Sequence, residues 1–225
     1  MSPVGMTSRR FIEAALLLSL AQHAAAQKPP ASLEMGGKKS VTRFFITSRG
    51  LGKGGNLGGL AGADAHCQAL AKAEGSGDHT WRAYLSTMAT GNTPMVNARD
   101  RIGKGPWYNA LGDRIAINLP QLHNDSNKIN VENAVTERGD TVKFEDHDIL
   151  TGSRPDGTSY PGTGDLTCAN WTSNSSGRAQ VGHFDRMGQD PRERSWNSAH
   201  ATRGCSQQDF RATGGSGLFY CFAID

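Results

Sequence analysis

Chemistry-bearing side chains are scattered through this 225-residue chain rather than gathered in a known catalytic motif. The densest group is Glu145-Asp146-His147-Asp148, with four potential metal ligands or acid–base groups in one run. His66, His183 and His200 lie far from it in sequence. A metallohydrolase of the H-E-x-x-H type places two imidazoles one helical turn apart, and that spacing is absent. So is the G-x-S-x-G elbow that exposes a serine nucleophile. A metal site at His147 would need distant partners, so the run reads as a solvated charged turn. Asp64 and His66, two apart on a helix, point in different directions and form no pair. Gly50, Gly52, Gly54, Gly55, Gly58 and Gly59 could wrap a phosphate, but the Lys-Ser/Thr ending of a P-loop is missing. They read as a flexible turn before a helix. These absences point away from an enzyme and towards a binding protein.

The elements that must position any site begin after an export signal. Arg9 and Arg10 precede an apolar run, Phe11 to Leu20, broken by Glu13, and Ala24-Ala25-Ala26 offers a cleavage site. Residues 1–26 therefore read as a cleavable signal peptide, with Ser8-Arg9-Arg10-Phe11-Ile12 partly resembling a twin-arginine signal. The run is too short to span a bilayer, and no stretch of about 18 apolar residues follows it. The expected location is secreted or periplasmic. In an oxidising compartment Cys67, Cys168, Cys205 and Cys221 imply two disulfides. The nearest two cysteines are too far apart for a zinc knuckle. Three pairings are open at this point.

Residues 27–41, rich in Pro, Gly, Lys and Ser, form a flexible lead-in, and residues 42–225 carry no linker-like break, so one domain is expected. Val41 to Thr47 reads as a strand. Ala61 to Glu74 reads as a helix whose Ala63, Cys67, Leu70 and Ala71 share one face, with Gly75 closing it. Trp81, Ala83 and Leu85 alternate with Arg82, Tyr84 and Ser86, the period of a half-buried strand. Arg99 to Leu111 is a short helical or irregular piece. From Asn124 to Trp196, turn residues dominate, and Leu218 to Ile224 is an apolar strand. Net charge is only +3, and from Thr151 onward seven arginines face seven acids with no lysine. Such mixed charge argues against nucleic acid as the partner.

This layout resembles the C-type lectin-like domains, and most of all their endostatin branch as found in exported bacterial proteins. The resemblance is carried by Gly59-Leu60-Ala61-Gly62-Ala63-Asp64-Ala65-His66-Cys67 and Trp81-Arg82-Ala83-Tyr84-Leu85-Ser86. Gly152-Ser153-Arg154-Pro155-Asp156-Gly157, Cys168, Trp171 and Gly217 to Ile224 continue it in order. It implies an α+β, loop-rich fold with one main N-terminal helix and two nested disulfides, Cys67–Cys221 and Cys168–Cys205. Endostatin's zinc uses N-terminal histidines. Gln27 to Thr42 contains none, so that zinc is not expected here.

In the sugar-binding members of that family, two oxygen-rich triplets hold calcium and the sugar. Their counterparts here are Arg154-Pro155-Asp156 and Trp196-Asn197-Ser198. The resemblance implies Asp156, Asn197 and the nearby Asp165 as calcium ligands. Arg154 and Ser198 depart from the pattern, because a guanidinium repels calcium and a hydroxyl is a weak donor. Without calcium, Arg154 can still bond sugar hydroxyls or a sugar carboxylate, and Tyr160, in a loop, can stack on a sugar ring. Trp171 and Trp196 read as core residues first. The implied function is an exported, lectin-like module with Arg154, Asp156, Tyr160, Asn197 and Ser198 as the ligand site. Its partner would be a glycan or cell-envelope polysaccharide, with protein binding or adhesion as the alternative.

Overall fold

The C-terminal run Leu218–Ala223 is a strand, β8, in which all six residues are buried. Its period-2 alternation separates two cores. Phe219, Cys221 and Ala223 pack with Cys67, Leu70 and Trp81 on one side of the sheet. Leu218, Tyr220 and Phe222 pack with Phe44, Ile46, Tyr84 and Trp196 on the other. A strand covered on both faces needs an unbroken apolar sequence, which this segment has. The computed structural model describes residues 40–225 except Thr163. The expected signal peptide, 1–26, and all of the lead-in but Ser40 and Val41 lie outside the described residues.

Strand β1 (Phe44–Ile46) pairs antiparallel with β8, Phe44 opposite Phe222. Helix α1 (Gly59–Ala73) buries Ala63, Asp64, Cys67, Leu70 and Ala71, so the predicted apolar stripe is the buried one. Gly75 follows with φ of 79°, a left-handed residue just past the helix end. Strand β2 (Trp81–Ala83) pairs antiparallel with β8, Trp81 opposite Ala223. The half-buried alternation predicted for 81–86 stops at Arg82. Tyr84 and Ser86, expected to face solvent, are buried like Leu85, because a second core covers that face. Arg99 to Leu111 resolves into the end of a 3-10 turn (Ala98–Asp100) and β3 (Trp107–Tyr108), which pairs with β4 (Arg114–Ala116). The short helix α2 (Leu119–Leu122) follows.

The turn-rich stretch is less irregular than its composition suggests. It contains β5 (Asp148–Leu150), parallel to β8, and β6 (Gln180–His183), antiparallel to β5. β7 (His200–Ala201) pairs antiparallel with β6, giving the sheet order β1-β8-β5-β6-β7. The expectation of a solvated turn at 145–148 holds for the exposed Glu145 and fails for Asp148, which is only 2% exposed. Placing Asp148 at the start of a central strand draws its carboxylate into the sheet. A last helix, α4 (Gln207–Arg211), is closed by a Ser206–Asp209 capping box.

The architecture is α+β, and the disulfides are Cys67–Cys221 and Cys168–Cys205, the nested pairing. Cys168 begins α3 (Cys168–Trp171), a single turn whose four residues all have positive φ, from 48° to 66°. A left-handed turn of non-glycine residues costs about 1–2 kcal/mol per residue, so it must be over-determined. Three ties hold it. Cys168 is bridged to Cys205. The Trp171 indole donates to the Ser86 carbonyl at 2.8 Å. The Asn170 amide both accepts from the Met88 N–H and donates to its carbonyl. Gly55 has no side chain because a Cβ there would lie 2.5 Å from that of Cys168. Among the described residues no helix is long and apolar enough to cross a membrane.

Candidate binding cleft

The loop between β5 and α3 and the segment before β7 meet through one buried side chain. Asn197, 1% exposed, donates from Nδ2 to the Tyr84 hydroxyl at 2.9 Å and to the Arg154 and Pro155 carbonyls at 3.1 and 3.2 Å. Its Oδ1 accepts from the Ser195 hydroxyl at 3.0 Å. Tyr84 in turn donates to His123 Nε2 at 2.8 Å, and His123 Nδ1 donates to the Leu119 carbonyl at 2.9 Å. Every polar atom in this chain of contacts has a partner, which is what lets it lie beneath the surface. Burial pushes the Tyr84 phenol up and the His123 imidazole down, so both stay neutral near pH 7.

Above this network lies a cleft of about 630 Å³, a size that suits a small ligand. Its lining includes Pro155, Tyr160, Trp196, Asn197 and Ser198, and Tyr160 and Ser198 share a hydrogen bond of 2.9 Å between their hydroxyls. Trp196 is 4% exposed and packs against Tyr84 and Tyr220, a core residue showing only an edge. Trp171 is fully buried. The lining also includes Arg186, Arg192 and Arg194, with Asp125 as its only acid. Arg192 pairs with Asp190 at 2.7 Å and remains 86% exposed. Arg186 is held by the Ile129 carbonyl and Asn127. Arg194 is held through Nε alone, by the Gly188 carbonyl at 3.1 Å, which leaves its terminal nitrogens for a ligand.

The residues expected from sequence are thus divided. Pro155, Tyr160, Asn197 and Ser198 line the cleft. Arg154 and Asp156 adjoin it through Pro155, and both are exposed. Asp156 Oδ1 accepts from the Thr158 N–H and hydroxyl at 3.0 and 2.6 Å. Its slight burial is outweighed by those bonds and by Arg154 and Arg99, so the carboxyl sits below its ordinary value. Asp165 lies just before α3, where its oxygens accept from Thr167 and from the Ala169 N–H. The three arginines of the cleft carry no motif, and sequence offered no signal for them beyond their charge.

This donor set does not fit calcium, which takes six to eight oxygens. Asn197 Oδ1 is turned to Ser195, Asp165 caps a turn, and one oxygen of Asp156 is committed to Thr158. Replacing Asn197 by Ala is expected to cost about 2–4 kcal/mol, because the buried Tyr84 hydroxyl, the partly buried Arg154 and Pro155 carbonyls and the Ser195 hydroxyl lose their partner. A urea midpoint within error of wild type would show that the loop is not held from below. No family model matches the chain, and neither does any curated protein.

Proposed function

We propose that this chain is an exported, lectin-like binding module on a C-type lectin-like, endostatin-type scaffold. Its cleft takes carbohydrate bearing acidic groups, without calcium. The observation that carries the reading is that one cleft is lined by a half-exposed tyrosine, a serine hydroxyl and three arginines. A sugar presents an apolar ring face and a fringe of hydroxyls, which Tyr160 and the Ser198 hydroxyl can meet. A guanidinium fork matches a carboxylate or sulfate on that sugar in two parallel bonds. Calcium is dispensable because the oxygens that would ligate it hold the loop instead. Two disulfides suit a protein that works in an oxidising compartment, and the sequence at 1–26 supplies the route there.

The test is a glycan and polysaccharide array on the oxidised protein, in chelator-treated buffer and again with calcium restored. Binding to acidic glycans is expected in both, weakening as salt rises. Arg194→Ala should weaken it roughly tenfold or more, since a charge-assisted contact contributes about 1.5–3 kcal/mol, and Tyr160→Ala should weaken it by loss of the stacked ring. Arg154→Ala, outside the cleft wall, should weaken it less. A blank array would end the carbohydrate reading in favour of a protein partner, and binding that requires calcium would end the calcium-free one.

A further inference from the structure

The sheet gathers three histidines, His147, His183 and His200, around one buried carboxylate, Asp148. β5 and β6 place Asp148 directly opposite His183, and His200 on β7 stands opposite Val181, which shares a face with His183. Those three side chains therefore converge. His147 precedes the strand at the end of a 3-10 turn, with φ of −73° and ψ of −20°. It is therefore not in strand alternation with Asp148, and its ring lies 4.5 Å from that of His183. The Nε2 atoms of His183, His147 and His200 lie 3.0, 3.4 and 3.4 Å from Asp148 Oδ1. His147, Asp148 and His183 offer three donor atoms within 4.8 Å of one another.

The protons of this cluster do not satisfy it. His183 Nδ1 donates to the Met187 carbonyl at 2.9 Å, and His200 Nδ1 is turned to the Ala201 carbonyl at 3.3 Å. Neutral rings so oriented point bare Nε2 lone pairs inward, and these two atoms are 2.9 Å apart. Neither Asp148 oxygen receives an aligned hydrogen bond, although its side chain is 1% exposed. A buried carboxylate without a partner is costly, and lone pairs facing one another repel. A cation at their centre removes both costs.

We propose that His147, Asp148 and His183, with His200 as the fourth ligand, bind one divalent transition ion of the zinc class. Imidazole with one carboxylate suits zinc and its neighbours rather than calcium or magnesium. Tetrahedral ligation at about 2.0–2.2 Å puts donor atoms roughly 3.3 Å apart, close to the spacings here. The Nδ1 contacts of His183 and His200 are the outer-shell bonds that fix a metal-binding tautomer. Asp185 Oδ2 lies 3.3 Å from His147 Nδ1, within reach of that part for the third ring though not aligned as a hydrogen bond. Gly214 keeps the approach open, since a Cβ there would come within 2.8 Å of His147 Nε2. His200, with its side chain 32% exposed, gives an entry path. The ion ties β5, β6 and β7 to the turn before β5. This site is independent of the carbohydrate reading.

The experiment uses the full, oxidised chain, freed of any affinity tag and stripped of metal, titrated with Co²⁺ and then Zn²⁺. One Co²⁺ per chain should bind with the visible spectrum of tetrahedral nitrogen and oxygen ligation, and Zn²⁺ should displace it. Zinc at a hundredfold excess over Kd should raise Tm by roughly 5–10 °C. His183→Gln should weaken binding more than about 100-fold, and Asp185→Asn about 10–100-fold, as an outer-shell partner does. His200→Gln, on a partly exposed side chain, guards against a variant that fails to fold. Absence of binding below millimolar metal would overturn the site, leaving a shared proton to relieve the cluster. Binding undiminished in both His183→Gln and His200→Gln would also overturn it, because the metal would then sit elsewhere.

Discussion

Replacing Cys67 and Cys221 together by alanine should lower stability by about 5 kcal/mol, the loop-entropy value for a bridge spanning this much chain. The two cysteines are 154 residues apart, so the bond closes nearly the whole described chain into one loop in the unfolded state. Alanine, not serine, is the right replacement, because both sulfurs are fully buried in the core between α1 and β8. The second bridge, Cys168–Cys205, spans 37 residues and should contribute about 4 kcal/mol by the same reasoning. Its measured value should fall further, because freeing Cys168 also lets the left-handed turn relax. The comparison is made by urea denaturation of the two double variants. If loss of the shorter bridge proves the more costly, unfolded-state entropy is not what the disulfides chiefly supply.

The two bridges also mark how far sequence could be read. Helix α1 was legible because its buried face is made of residues at helical spacing, and β8 because it is apolar throughout. Both are local signals. The strands of the turn-rich half were not, since Gln180-Val181-Gly182-His183 shows no alternation and gains its burial from β5 and β7 on either side. The histidine cluster depends on that same register. His147, His183 and His200 meet only because Asp148 pairs with His183 across the sheet, a long-range fact that no window of sequence contains. The cleft was half legible. Tyr160, Asn197 and Ser198 do meet, but Asn197 serves as a pin from beneath rather than as a ligand-facing oxygen. Arg186, Arg192 and Arg194 sit in a segment that composition marked only as loop. Polar residues in such loops announce where function can lie, while tertiary contacts decide which of them face it.

Asp64→Ala should cost about 3–5 kcal/mol, the usual consequence of removing one member of a buried ion pair. Asp64 lies on the inner face of α1, its side chain 9% exposed. Oδ2 receives Arg82 and Arg101 at 2.7 Å each, and Oδ1 receives the Ala83 N–H and Arg101 at 2.9 Å. Arg82, with 43% of its side chain exposed, can turn to water when the carboxylate is gone. Arg101, with 11% exposed, cannot, and the buried N–H of Ala83 loses its acceptor. The penalty therefore lies in what is left unpaired more than in the attraction lost. Two further variants separate these contributions. Asp64→Asn retains an acceptor for Ala83 and should cost less than Asp64→Ala. Asp64→Leu combined with Arg101→Met removes both charges and should recover part of the loss. Denaturant midpoints decide it, and a cost below about 1 kcal/mol for Asp64→Ala would mean the pair is effectively solvated. Cys67 sits one turn further along the same helix face, so the carboxylate and the disulfide clamp one helix to adjacent strands. Their losses should consequently couple: removing both should cost less than the separate effects combined, because a helix already released by one change has less left to lose to the other.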